Sequence, residues 1–278
     1  MRDAPANAEL EALVRRAGAA AFPGFRLRRL ARTASTQDVV HAAAAAGAAE
    51  GFCCVTAEQT AGRGRDGRAW VAPPGTALLC SLLLRRRLTV AAGVPLAAGL
   101  AVSDSVLLLS DVACRLKWPN DILAPGGKLG GVLAESTVRG TLVLGFGVNL
   151  TVPEFPPGVP GVSLHRLAGK PVSWGVLLAA ILPRLVARLR ELELGGVAGL
   201  RADWTARAAG LGSVVRATVG PRTVEGIAVG IDDEGALRLR TAEGELRVVA
   251  GDVHLLGEPP AVPPTARSPQ PPADKLGR

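Results

Sequence analysis

The feature that most narrows the fold is a set of strand-length runs with almost no polar residues. "GFCCVTA" from Gly51, "TALLCSLLL" from Thr76 and "TLVLGFGVNL" from Thr141 are of this kind. Short apolar runs bounded by glycine, proline or polar turns read as buried strands. "LGGVLAEST" from Leu129 precedes the last of them across "VRG", Val138 to Gly140, so the two are expected to form an antiparallel hairpin. Further strands are expected at "FRLRRL" and "ACRLKW". Helices are expected over 9–17, from the Ser35 N-cap with Asp38 three residues on to Ala49, over 91–110, over 174–194 with a bend at Pro183, and over 200–209.

After Gly210 the texture changes. "SVVRATV", "RTVEGIAVGID", "ALRLRTA" and "GELRVVAGDVHLL" alternate apolar and polar residues, with turns at Gly220-Pro221, Asp233 to Gly235 and Glu243-Gly244. That pattern suggests a small β-barrel of about five strands. From Glu258 the chain is proline-rich with little to bury, which reads as a disordered tail. The expected division is a main domain over 1–210, a barrel over 211–257 and a tail over 258–278.

A length of 278 residues and a hydrophobic fraction of 48% suit one large domain with a small companion. The formal charge of +8 favours anionic partners such as phosphates, nucleic acid or an acidic protein. Arginine drift in a GC-rich genome is the alternative. Cys53, Cys54, Cys80 and Cys114 form no C-x-x-C pair and lie in apolar runs. They read as reduced, buried thiols of a cytoplasmic protein. Neither a signal core nor a membrane span is apparent in the sequence.

Charge concentrates in "EQTAGRGRDGRAW", Glu58 to Trp70. Gly62, Gly64 and Gly67 let the backbone approach a ligand and take positive φ. Arg63, Arg65 and Arg68 offer bidentate donors to carboxylate or phosphate. In a locally extended loop Arg63 and Arg65 face the same side, which suits holding two anions together. A solvated or RNA-binding loop is the alternative.

Three more strings carry polar residues in fixed settings. "KWPND", Lys117 to Asp121, is a stiff turn in which Lys117 could meet phosphate and Asp121 could help hold Mg²⁺. In "GGKLGGVLAE", Lys128 stands where a cation could neutralise charge building on a reacting carboxylate and phosphate. In "GFGVNL", Gly145 and Gly147 thin a buried strand that ends at Asn149, a mark of close ligand approach or of tight packing.

In this order and spacing, Ser35-Thr36, "EQTAGRGRDGRAW", "KWPND", "KLGGVLAE" and "GFGVNL" resemble the catalytic domain of biotin–protein ligases. The resemblance runs from about Leu30 to Asn149, and a small barrel after Gly210 agrees with it. It implies an α+β fold: a mixed or antiparallel sheet flanked by helices, of the class II aminoacyl-tRNA synthetase-like, biotin/lipoate ligase type, with a C-terminal SH3-like β-barrel.

It further implies that biotin and ATP, with Mg²⁺, give biotinyl-5′-adenylate, and that a lysine of a biotin carboxyl carrier domain of a carboxylase takes the biotinyl group. By resemblance Ser35, Thr36 and Gln59 contact the ureido ring, and Gly62, Gly130 and Gly131 shape the biotin slot. Arg63 and Arg65 grip carboxylate, phosphate and adenylate, beside Lys128. Arg68, Trp70, Lys117, Asn120 and Asn149 fall on the nucleotide side, and Asp121 on the metal.

Asp66 departs from the pattern, where a basic or small residue is as readily expected, and "KLGG" stands for the commoner "KLAG". Only about 30 residues precede the catalytic strands, too few for a winged helix-turn-helix, so no operator-binding role is expected. The nearest rival is a lipoate–protein ligase-like acyl transfer. A basic nucleic-acid-binding protein would leave Lys128 and the glycine-shaped strands unexplained, and the chain is poor in stacking aromatics. No nucleic acid or membrane partner is expected, and a homodimer is compatible with the sequence.

Overall fold

The apolar runs do become strands. The computed structural model describes residues 4–86, 91–137, 141–156, 158–220 and 222–256. Seven strands form one sheet in the order β1-β2-β3-β7-β6-β5-β4. They are β1 (Arg26–Thr33), β2 (Phe52–Gln59), β3 (Ala77–Leu84), β4 (Arg115–Lys117), β5 (Asp121–Ala124), β6 (Gly127–Ser136) and β7 (Leu142–Asn149). Only β1 and β2 run parallel, so the sheet is mixed and mainly antiparallel.

Helices cover both faces because the central strands are apolar on both. On one face lie α1 (Ala4–Ala21), α3 (Gly93–Ser110) and α5 (Trp174–Arg207), with the short α4 (Leu164–Ala168). On the other, α2 (Thr36–Ala45) packs Val40 and Ala44 on Cys54, Leu83 and Val143. Adjacent Cys53 and Cys54 do point to opposite faces, one in each core. All four cysteines are free and buried, and burial pushes the Cys54 and Cys114 thiols up to about 12. Helix α3 is long and apolar enough to cross a membrane, but its length is mostly buried against the protein.

The C-terminal strands are β8 (Val214–Val219), β9 (Arg222–Ile231), β10 (Leu237–Thr241), β11 (Gly244–Val248) and β12 (Asp252–Leu255). They form an antiparallel five-stranded sheet, β11-β10-β9-β8-β12, consistent with the SH3-like barrel. Its inner residues Val215, Ala228, Leu239 and Val253 join the main core rather than forming a separate one. Trp118 fixes the junction, donating from Nε1 to the carbonyl of Gly235 at 2.9 Å.

Several elements differ from the sequence reading. Strand β5 was absent from it: four residues after a Trp-Pro corner give too short a run to register. Helix α2 stops at Ala45, since Gly47 takes a left-handed φ of 88°. The last long helix continues past Pro183 and breaks at Gly196, φ 59°. The "VRG" turn, part of the Gly220-Pro221 turn and the tail from 258 lie outside the described residues.

Candidate active site

One cavity of about 1360 Å³ opens over β6 and β7. Among the described residues six cationic side chains line it, namely Arg63, Arg65, Arg68, Arg115, Lys117 and Lys128, against one carboxylate, that of Asp121. Such an excess in a walled cleft attracts and concentrates anions.

The floor is made of glycines. Gly131 and Gly147 face each other in the β6–β7 register, and Gly145 follows two residues along β7. A Cβ at Gly147 would lie 2.6 Å from Cε2 of Trp70, so the indole rests directly on the backbone. Lys128 holds its ammonium 5.7 Å from the centre of the same ring. Among the described residues Trp70 Nε1 is buried without a hydrogen-bond partner.

At one end Asp121 is shared by two lysines, with Lys117 Nζ at 2.9 Å and Lys128 Nζ at 2.5 Å. Burial alone would raise its pKa, but the pull of Lys128 and then Lys117 outweighs this and holds it below the ordinary carboxylate range. Among the described residues no group of three or more His, Cys, Asp or Glu could hold a metal. Both oxygens of Asp121 lie on ammonium groups here, and a lone carboxylate beside cations suits a Mg²⁺ ion carried in on substrate phosphates rather than an all-protein metal cage. Asn120 donates from Nδ2 to Val132 at 2.7 Å, which ties the "KWPND" turn to β6.

At the other end the groups are neutral. Ser35 caps α2, accepting from the Gln37 amide N–H at 3.3 Å. Gln59 Oε1 accepts from Thr36 N–H at 2.8 Å and from Thr36 Oγ1 at 3.0 Å. The one hydroxyl proton of Thr36 is thereby used, so Ser81 is the donor in its 2.7 Å contact with Thr36 Oγ1.

The arginine loop is more ordered than its glycines suggest. Gly64 N–H donates to Arg68 at 2.7 Å and Trp70 N–H to Gly62 at 2.9 Å, so the segment folds back as a hairpin. At its tip Asp66 (φ 54°) and Gly67 (φ 73°) both have positive φ, and Arg68 N–H closes on the Arg65 carbonyl at 3.1 Å. This is the pattern of a type I′ turn, for which Asp-Gly is a strong signal. The unexpected Asp66 is thus a turn residue, and the Asp-Gly signal was there to be read.

Arg63 and Arg65 do not share partners as an extended loop would have them. Arg63 Nη2 lies 2.8 Å from Asp38 and 3.5 Å from Glu135, which also meets His41 at 2.9 Å. The hydrogen bond to Asp38 is the main cause raising the Arg63 pKa above its usual value. Exposed pairs of this kind are worth about 0–1 kcal/mol, so an incoming anion can displace them. Arg65 Nη1 instead donates to the carbonyl of Gly251 at 3.2 Å, and Arg68 Nη2 lies 2.5 Å from Asp252.

Twelve of the expected site residues line this cavity: Ser35, Thr36, Gln59, Arg63, Arg65, Arg68, Trp70, Lys117, Asn120, Asp121, Lys128 and Gly131. Gly62, Gly130 and Asn149 stand off its wall. A Cβ at Gly62 would strike the Trp70 carbonyl at 2.6 Å, and one at Gly130 the Gly147 carbonyl at 2.6 Å, so both serve backbone packing. Asn149 is buried and donates from Nδ2 to the carbonyls of Lys128 and Val162. Sequence reasoning missed Gln37 and the β12 residues His254 and Leu255, which also line the cavity. Alternation within β12 carries no sign that its end meets a site far away in sequence.

Residues 30–149 match the biotin/lipoate A/B protein ligase family, and 210–256 match the biotin protein ligase C-terminal domain. A biotin–[acetyl-CoA-carboxylase] ligase of Paracoccus denitrificans is 38% identical over 213 residues, 72% of this chain and 88% of that protein. One of Mycobacterium tuberculosis is 39% identical over 240 residues, 81% of this chain and 88% of that protein. A biotin protein ligase from Aquifex aeolicus, solved with biotin and ATP, superposes with a TM-score of 0.74 at 27% identity, covering 82% of this chain and 97% of that one.

Proposed function

The chain belongs to the biotin–protein ligase family, and we propose that it uses ATP to join biotin to a lysine of a carboxyl carrier domain. The observation that carries this reading is the cavity's polarity: a neutral hydrogen-bonding end at Thr36 and Gln59, and a cationic end at Lys117 and Lys128. Biotin has the same polarity, an uncharged cyclic urea at one end and a carboxylate at the other.

In the first step a carboxylate oxygen attacks the α-phosphorus of ATP, the bond to the β-phosphate oxygen breaks, and pyrophosphate leaves. Two anions must approach each other for this. Lys128 stands between the floor and Asp121 where it can neutralise both, and Arg63 and Arg65 add charge from the hairpin above. Magnesium comes in on the phosphates of ATP in this reading. In the second step the carrier amine attacks the acyl carbon and AMP leaves. Between the steps the hairpin shields the mixed anhydride from water and from other amines.

The carrier is a carboxylase subunit or domain and the setting is the cytoplasm, in keeping with four free, buried thiols. The test is transfer of biotin to a purified carrier domain in the presence of ATP, with lipoate in a parallel reaction. Labelling of one carrier lysine by biotin supports the assignment. Labelling by lipoate alone, or by neither, overturns it.

A further inference from the structure

The turn between β9 and β10 stands off the cavity, yet it is bonded to the segment that carries two of the cavity's charges. Among the described residues none of Asp232 to Ala236 lines the cavity, and neither does Trp118. Lys117, directly before Trp118, and Asp121, three residues after it, both do. The Trp118 indole is 4% exposed, and its Nε1 donates to the Gly235 carbonyl at 2.9 Å. An indole N–H can donate but not accept, so a main-chain carbonyl placed there fixes how the ring faces.

The turn that offers this carbonyl is itself held firmly. Asp232 Oδ1 accepts from the N–H groups of Glu234 and Ala236, each at 2.9 Å, and Gly235 N–H donates to the Asp232 carbonyl at 3.1 Å. Gly235 has a φ of 83°, and Leu96 of α3 lies 3.4 Å from where its Cβ would be, so the tip is seated against that helix.

The other side of the Lys117–Asp121 segment is tied to the cavity floor. Asn120 donates from Nδ2 to the Val132 carbonyl at 2.7 Å, and Val132 N–H donates to the Asn120 carbonyl at 3.0 Å. Five residues are thus braced between β6 and the C-terminal sheet. Lys117 and Asp121 are register partners closing β4 on β5, so a displacement of Trp118 carries both charges with it.

Resting on the ligase reading above, we propose that Trp118 is a positioning residue for the first step, and that the β9–β10 turn acts through it to set where Lys117 and Asp121 meet the nucleotide. The neutral end at Thr36 and Gln59 has no part in this brace. The effect is therefore selective: ATP is held less well when the brace is cut, and biotin is not.

The experiment is biotin-dependent pyrophosphate exchange into ATP by the full chain, with KM for ATP, KM for biotin and the maximal rate read separately. Trp118→Phe keeps a ring and lacks the donor. Asp232→Ala removes the acceptor that shapes the turn, and Asp232→Asn restores an oxygen there. Trp118→Phe and Asp232→Ala are each expected to raise KM for ATP about fivefold, the worth of one hydrogen bond, with KM for biotin unchanged. Asp232→Asn is expected to stay near wild type.

A merely structural role would lower the maximal rate, through less folded enzyme, and leave both KM values alone. That result, or equal rises in both KM values, overturns the proposal. If Trp118→Phe does not fold, the two Asp232 variants decide by the same criteria. Wild type without exchange sinks the ligase reading along with this one, whereas wild-type exchange with KM for ATP unmoved in the variants sinks this one alone.

Discussion

Arg68 Nη2 lies 2.5 Å from Oδ1 of Asp252, a contact that spans 184 residues of sequence. With Arg65 on the Gly251 carbonyl, it fastens the tip of the arginine hairpin to the start of β12. The C-terminal sheet is therefore tied to the hairpin that stands over the cavity.

Asp252→Ala is expected to release the hairpin without unfolding the protein. The pair is solvent-accessible, Arg68 more than Asp252, so its loss costs at most about 1 kcal/mol of global stability. Limited proteolysis should show faster cleavage at Arg65 and Arg68 with a nearly unchanged melting temperature. Cleavage at the wild-type rate would mean that the contact holds nothing.

Arg65→Gly removes both the tie to Gly251 and a cation over the cavity. Biotinyl-adenylate should then escape before a carrier docks. Biotin labelling of an unrelated lysine-rich protein added to the reaction should rise several-fold, a bound set by one lost charge-assisted contact. Labelling no higher than wild type contradicts the retaining role.

Gly147→Ala would place a Cβ within 2.9 Å of three indole carbons of Trp70, with no flexible chain end to give way. Either the indole leaves the floor or the strand shifts, at a cost of about 1–3 kcal/mol. Trp fluorescence and chemical unfolding report both outcomes. Unchanged stability together with unchanged emission would show that the ring does not rest there.

Asp121 has a folded pKa below its unfolded value, because Lys128 and Lys117 together outweigh its burial. Its charge therefore stabilises the fold above the ordinary carboxylate pKa, about 3.9, and that contribution is lost as pH falls through the depressed value. The stability difference between wild type and Asp121→Asn should be constant from neutral pH to about pH 5 and shrink below pH 4. Denaturant unfolding across that range measures it. A difference that grows on acidification would mean that the pKa is raised.

The strands and the polar strings were legible because they are local: apolar runs, an N-cap at Ser35, a Trp-Pro corner, glycines beside Lys128. Their convergence on one cavity was carried by the resemblance rather than by any local rule. What could not be read was long-range. Nothing near Asp121 in sequence says that Lys117 and Lys128 will both reach its carboxylate. Nor does β12 announce that it will meet Arg65 and Arg68. Nor does the sequence around Asn149 say that its Nδ2 will donate to the carbonyls of Lys128 and Val162. The Asp66-Gly67 turn, by contrast, is a local signal and legible in the sequence.

The central claim is that Lys128 and the arginine hairpin bring a carboxylate and a phosphate together. Biotin-dependent exchange of labelled pyrophosphate into ATP reads that step without any carrier, for wild type and for Lys128→Ala. Wild type should exchange only with biotin present, and Lys128→Ala should fall at least a hundredfold, as expected for losing a preorganised charge at the reacting atoms. Exchange by Lys128→Ala within a few-fold of wild type would contradict the account.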